Sequence, residues 1–165
     1  GRGGYMVSIL PFSRQYADGV VEVILPIQQH EFDIPITLEA QPDLQDIAAF
    51  YERGQGHFWI AVDDRCVVGT IGLLDIGNHQ TALRKMFVKA SHRGREHGVA
   101  QRLFDTLLAW CQSQGVMDIY LGTTARFLAA HRFYEKNGFD EIAREALPAR
   151  FPVMAVDTRF YWRKV

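Results

Sequence analysis

The sequence predicts an α/β domain with a mixed α+β sheet, and three observations carry that reading. Three strand-like runs follow one another between residues 57 and 88, each parted from the next by turn residues. The apolar period then changes to the three-and-four spacing of a helix over Val99–Gln114. From there to the end, strand-like and helix-like segments alternate. At 165 residues, 48% apolar and 22% charged, the chain has the size and balance of one soluble globular domain.

Each element can be justified in order. "GRGG" at positions 1–4 reads as a flexible leader or cloning scar, with a single domain from Tyr5 to Val165. Tyr5–Leu10 reads as a strand stopped by Pro11. In Arg14–Gln29, residues Tyr16, Val20, Val23, Ile24 and Ile27 share one helical face. "FDIPITLEAQPD" with its two prolines is a connector, and Pro42-Asp43 opens a short helix through Tyr51. "HFWIAVDD", "CVVGTIGLLD" and "TALRKMFV" are three strands of an antiparallel meander, with turns at Asp63-Asp64 and Asn78-His79. Val99, Leu103, Leu107 and Trp110 form the apolar stripe of the next helix, which Gly115 ends. "VMDIYLGT" is a buried-type strand. A helix over Ala125–Lys136 stops at Asn137-Gly138, and strands over Phe139–Ala146 and Val153–Trp162 complete the domain.

Composition excludes more than it selects. A net charge of −1 offers no global attraction to nucleic acid or anionic membrane. No apolar run approaches the roughly 20 residues of a membrane span. Cys66 and Cys111 lack CxxC or metal spacing and read as buried reduced thiols, which places the expectation in the cytoplasm. HExxH, GxxxxGK[ST] and an early GxGxxG are missing from the sequence, so no metal is expected.

The informative stretch is "KASHRGREHGVAQRLFDTLLAW" (89–110), a basic glycine-bearing loop between a strand and a helix. The first N–H groups of a helix have no backbone partner, and the helix dipole adds positive potential there. Glycine admits close approach of an oxygen, and arginine offers a fixed fork for phosphate. Taken alone, the loop serves equally as a phosphate site or as a solvated basic turn.

"MFVKASHRGREHGVAQRLFDTLLAW" resembles the acetyl-CoA signature of the GCN5-related N-acetyltransferase (GNAT) family, with Arg95-Glu96-His97-Gly98-Val99-Ala100 as its Arg/Gln-x-x-Gly-x-Gly/Ala core. "AAHRFYEKNGF" (129–139) resembles the family's later helix-then-strand motif, and the order of elements is similar over nearly the whole chain. The resemblance implies a GNAT-like acyl-CoA N-acyltransferase fold: a mostly antiparallel central sheet with helices on both faces. It implies an acetyl-CoA-dependent enzyme that moves acetyl directly to an amine, small molecule or peptide, without an acyl-enzyme. Met86, Phe87 and Val88 would face the pantetheine arm. Arg93 and Gly94, with backbone N–H groups from Arg95, Glu96, His97, Gly98, Val99 and Ala100, would hold the pyrophosphate. Tyr134 would return a proton to the leaving thiolate.

Two positions depart from the family pattern. Glu96 brings a carboxylate to a phosphate loop, and Phe127 stands where an asparagine is common; Thr123 or Thr124 would then supply its hydrogen bonds. For a general base the sequence offers Asp75, His79, Glu31, Glu39 and His131 without choosing among them. Rival readings are a non-catalytic acyl-CoA sensor and, last, a nucleic-acid patch of Arg93, Arg95 and Arg102. A homodimer is left open.

Overall fold

A computed structural model describes residues 6–165; the leader and Tyr5, the first residue of the first predicted strand, lie outside the described residues. Seven strands form one sheet: β1 (Val7–Pro11), β2 (His57–Asp63), β3 (Cys66–Gly77), β4 (Gln80–Val88), β5 (Asp118–Thr123), β6 (Asp140–Ile142) and β7 (Arg159–Lys164). Their spatial order is β1-β2-β3-β4-β5-β7-β6, antiparallel throughout except for the parallel pair β4–β5.

Helices cover both faces, as the resemblance implies. One layer holds α1 (Ala17–Pro26), α2 (Pro42–Gln45) and α3 (Ile47–Tyr51). The other holds α4 (Val99–Gln114) and α5 (Leu128–Lys136). Strand β2 shows why its sequence is apolar almost without interruption. Phe58, Ile60 and Val62 join the α1–α3 core, while Trp59 and Ala61 join the α4 core.

Several predicted spans change; the helix expected from Ala125 begins at Leu128, and β1 runs through Pro11 rather than stopping before it. Pro26 lies within α1 and has no N–H for the preceding turn, and the chain continues as a π turn over Ile27–Glu31. The helix predicted from Pro42 to Tyr51 breaks at Asp46, whose carboxylate accepts the Ala49 N–H at 3.1 Å and so starts α3 afresh. The last strands are shorter than predicted, β6 ending at Ile142 and β7 starting at Arg159. Residues 143–158 form a connection containing Pro148, Pro152 and a 3-10 turn, Arg144–Ala146.

What positions the site is a divergence of two strands. β4 and β5 pair only at Gln80↔Asp118, Thr81↔Ile119 and Ala82↔Tyr120, whereas β5 stays paired with β7 along its whole length. Beyond Ala82 the edge of β4 facing β5 is bare. A bulge turns it further: between the pairs Gly72↔Arg84 and Thr70↔Phe87, β4 carries one residue more than β3. Lys85 sits in the bulge at φ 53°, and the Thr70 hydroxyl donates to its carbonyl at 2.6 Å. Arg84 and Lys85, consecutive residues, therefore both reach the α2 side of the sheet.

Candidate active site

The splay opens a cleft of about 490 Å³. Met86, Phe87 and Val88 line it from β4, Gly122, Thr123 and Thr124 from β5 and its loop, and Tyr134 from α5. An unpaired strand edge beside an apolar wall accepts an extended, amide-bearing chain as a further strand would. The Val88 carbonyl is already taken by Arg93 Nε at 2.8 Å.

At the head of α4, Gly98 occupies the N-cap in the left-handed region (φ 64°), and the first helical bond runs from Arg102 N–H to the Gly98 carbonyl at 3.0 Å. A Cβ built at Gly98 would meet nothing nearer than the Arg95 carbonyl at 3.9 Å, so the space in front of the helix is open. The N–H groups of Val99, Ala100 and Gln101 have no backbone partner among the described residues, which is the condition for holding an anion.

Part of the predicted cradle is otherwise engaged. His97 and Gly98 give their N–H groups to the Gly94 carbonyl at 3.2 and 3.1 Å. The continuous row from Arg95 to Ala100 is therefore interrupted, because the loop closes a turn on itself before the helix begins. Arg93 lies in a bidentate pair with Glu31 of the π turn, rather than free for phosphate. The same contact holds the Glu31 carboxyl below the usual carboxylate range, chiefly through its hydrogen bond to Arg93. Glu96 folds back over Gly94 (φ 103°), where an added Cβ would lie 2.8 Å from its Oε1. His92 is held between Ser91 Oγ and Asp63 Oδ2, both at 2.7 Å, and the buried Nδ1 of His97 has no partner among the described residues. Among the described residues there is no cluster of three or more His, Cys, Asp or Glu side chains that could hold a metal ion.

Tyr134 is 6% exposed, packed among Phe133, Phe139 and Tyr161, and its hydroxyl has no hydrogen-bond partner among the described residues. Burial pushes its pKa well above the ordinary phenol value, so the group stays protonated. On the neighbouring strand the two threonines separate. Thr124 Oγ1 faces the Arg126 N–H at 3.5 Å, and its carbonyl is bound by His131 at 2.9 Å. Thr123 Oγ1 is buried without a partner among the described residues, in a residue that lines the cleft. Of the two threonines, Thr123 is the one whose hydroxyl is uncommitted among the described residues. Phe127 instead packs edge-on against Phe32 (4.5 Å) and Phe87 (6.2 Å), over the cleft.

None of the five base candidates lines the cleft. Asp75 takes the N–H groups of Gln55 and Gly77 and holds a turn. His79 sits in the turn at the closed end of the splay, and Glu31 is paired with Arg93. The Glu39 carbonyl accepts from Gln45 in the connector. His131 is locked between Thr124 and Arg159. The carboxylate that does line the cleft is Asp157. Sequence reasoning missed it because it falls inside the segment read as the last strand.

A splayed sheet lined by a buried, protonated phenol, with an open helix start after the loop that leaves β4, defines an acyl-CoA-type acyltransferase site. The sequence model of the Acetyltransferase (GNAT) family matches residues 22–139. The fold superposes on a GNAT-family acetyltransferase from Staphylococcus aureus Mu50 with a TM-score of 0.92 and 41% identity, covering 96% of this chain and 98% of that one. A PaiA N-acetyltransferase from Thermoplasma acidophilum, solved with coenzyme A, shares the fold at a TM-score of 0.75 and 16% identity, over 96% and 99% of the two chains. N-acetylaspartate synthetase from Xenopus tropicalis is 36% identical over 104 residues, 61% of this chain and 37% of that protein. The chain spans about half or less of the length of the curated relatives it matches. It belongs to the GNAT acetyltransferase family.

Proposed function

We propose that this chain transfers acetyl from acetyl-CoA to the amine of a small molecule or peptide. One observation carries the reading: the unpaired β4 edge and the protonated Tyr134 line one cleft, and the loop that leaves β4, whose Arg93 lines the same cleft, leads into the open N-terminus of α4. Acetyl-CoA supplies an activated thioester. The residues' work is to hold it, to receive an uncharged amine and to protonate the thiolate.

In this reading Val99, Ala100 and Gln101 N–H groups hold phosphate oxygens at the dipole-positive end of α4. Met86, Phe87 and the bare β4 edge align the pantetheine arm. Thr123 Oγ1 donates to an oxygen of the bound co-substrate, which would supply the partner it lacks. Tyr134 gives its proton to sulfur as the C–S bond breaks; a group kept neutral by burial can do this without competing as a base. With both cysteines unpaired, Cys111 buried but Cys66 exposed at the start of β3 rather than buried as its sequence suggested, a reducing, cytoplasmic setting belongs to the same proposal.

Calorimetric titration with acetyl-CoA, against ATP and NAD as controls, is the first test. Selective binding is expected, followed by thiol release with a panel of amines. The name N-acetylaspartate synthetase gives an amino acid as one relative's acceptor, so amino acids head that panel. Absence of acetyl-CoA binding would overturn the reading.

A further inference from the structure

The cleft passes through the sheet, and its two sides carry different chemistry. Alternation along β5 sends Thr123 to the side of Ile119, Leu121 and Tyr134, which share one core with α4. Gly122 points the opposite way. A Cβ on Gly122 would stand 2.5 Å from Asp157 Oδ2, so the Asp157 carboxylate occupies the place a side chain would fill there. The phenol and the carboxylate thus flank the splay from opposite faces.

Asp157 is also distinctive in what surrounds it. The cleft is lined by the cations Arg84, Lys85, Arg93, Arg126 and Arg132, and by no other carboxylate among the described residues. One oxygen, Oδ2, accepts the Met154 N–H at 2.9 Å and fixes the side chain, while Oδ1 has no partner among the described residues.

We propose that Asp157 is the catalytic base for the acceptor: its free oxygen receives the acceptor's ammonium group and takes one proton from it. This rests on the acetyltransferase reading above. The ammonium loses one proton to Asp157, and the freed lone pair forms the N–C bond to the acetyl carbon. The nitrogen loses its second proton as the C–S bond breaks. The thiolate leaves with the proton supplied by Tyr134, which is restored from that nitrogen or from solvent. Asp157 then releases its proton to solvent, so one proton is produced per acetyl transferred.

The surroundings suit the role. Burial raises the Asp157 pKa above the ordinary aspartate value, making it a better proton acceptor. Opposing that shift are the Met154 N–H, Arg84 and Lys85 from β4, and Arg144 from the turn after β6. Glycine at 122 is explained by the same arrangement, since a larger residue would displace the carboxylate.

The test uses the full chain and the variants Asp157→Asn and Asp157→Ala. Asparagine keeps an oxygen for the Met154 N–H, so the turn survives while the base is lost. Acetyl-CoA binding is measured first by calorimetry; failure of the wild type there sinks the acetyltransferase reading itself. Thiol release is then followed with L-amino acids, ethanolamine, spermidine and a short peptide, between about pH 6 and 9.5. For the best amine, Asp157→Asn should lower kcat/KM about 100-fold at pH 7, with acetyl-CoA affinity unchanged. The deficit should shrink as pH nears the amine's own pKa of ~9–10, where free amine no longer needs a base. Added formate should partly restore Asp157→Ala. Wild-type rates in Asp157→Asn, or a loss that is constant across pH and not rescued by formate, would overturn the proposal and leave Asp157 as a turn former.

Discussion

His131 Nε2 lies 2.9 Å from the Thr124 carbonyl, and its Nδ1 lies 2.8 Å from an Arg159 guanidinium nitrogen. Because Arg159 can only donate, Nδ1 must accept and Nε2 must carry the proton. The histidine is held neutral, pinning the loop that follows β5 to α5. Burial pushes its pKa down, with the Arg159 charge adding to the shift and the Thr124 carbonyl opposing it. In the unfolded chain the histidine titrates near ~6.5, so below that pH the unfolded state takes up the proton first. Stability should therefore fall as pH drops from about 6.5 toward the lower folded-state value. Thermal melts of wild type and His131→Gln at steps from about pH 7.5 to 5.5 check this. The variant should melt lower at the top of the range and lose less on the way down. Parallel curves would mean that His131 is not the titrating group.

Tyr134 tests the acid. Replacing it by Phe removes one oxygen that has no partner among the described residues, so fold and acetyl-CoA affinity should hold. Turnover should fall about 10²- to 10³-fold. Since burial keeps the phenol protonated, wild-type kcat should show no decline on the alkaline side up to about pH 9.5. Stopped assays across that range read both effects. Undiminished turnover in Tyr134→Phe would remove the residue from the reaction.

Gly98 separates backbone strain from charge. At φ 64° any side chain is strained, at a cost of about 1–2 kcal/mol, but the space before it is open. Gly98→Ala should lower the melting temperature by about 2–6 °C and alter acetyl-CoA affinity less than fivefold. Gly98→Glu carries the same strain and adds a carboxylate at the anion site, so its Kd should rise at least 30-fold, more at low salt. Equal affinities for the two variants would show that phosphate does not bind there.

Local signals gave away the local parts of this design. Gly98 and Gly115, both in the left-handed region, bracket α4 where the sequence puts it, and Gly138 (φ 86°) follows α5 as Asn137-Gly138 suggests. The meander was readable from its alternation and turns. The β4–β5 divergence was not, because it depends on where pairing stops, which no residue announces. The bulge at Lys85 was hidden for a similar reason: lysine is an uncommon occupant of positive φ. Asp157 was lost because Met154, Val156, Phe160 and Trp162 fall in the period-two register of a strand, although Val156 is exposed in a loop. Arg93 was read as a phosphate ligand because its partner Glu31 lies 62 residues away.

Asp43 supports the Arg84–Lys85 side of the cleft from behind. It is 2% exposed, accepts the Tyr51 hydroxyl at 2.5 Å and stands 3.6 Å from both Arg84 and Lys85. The Lys85 ammonium is itself nearly buried, and desolvation lowers its pKa against the pull of Asp43. Removing the carboxylate leaves two cations and a phenol uncompensated, and breaking a buried pair this way costs about 3 kcal/mol. Asp43→Ala should therefore melt about 6–12 °C lower than wild type. Adding Lys85→Met, which withdraws one of the stranded charges, should recover part of that loss. The double-mutant cycle by thermal or urea unfolding measures the coupling. Strict additivity would show that Lys85 and Asp43 do not interact in the folded protein despite their 3.6 Å separation.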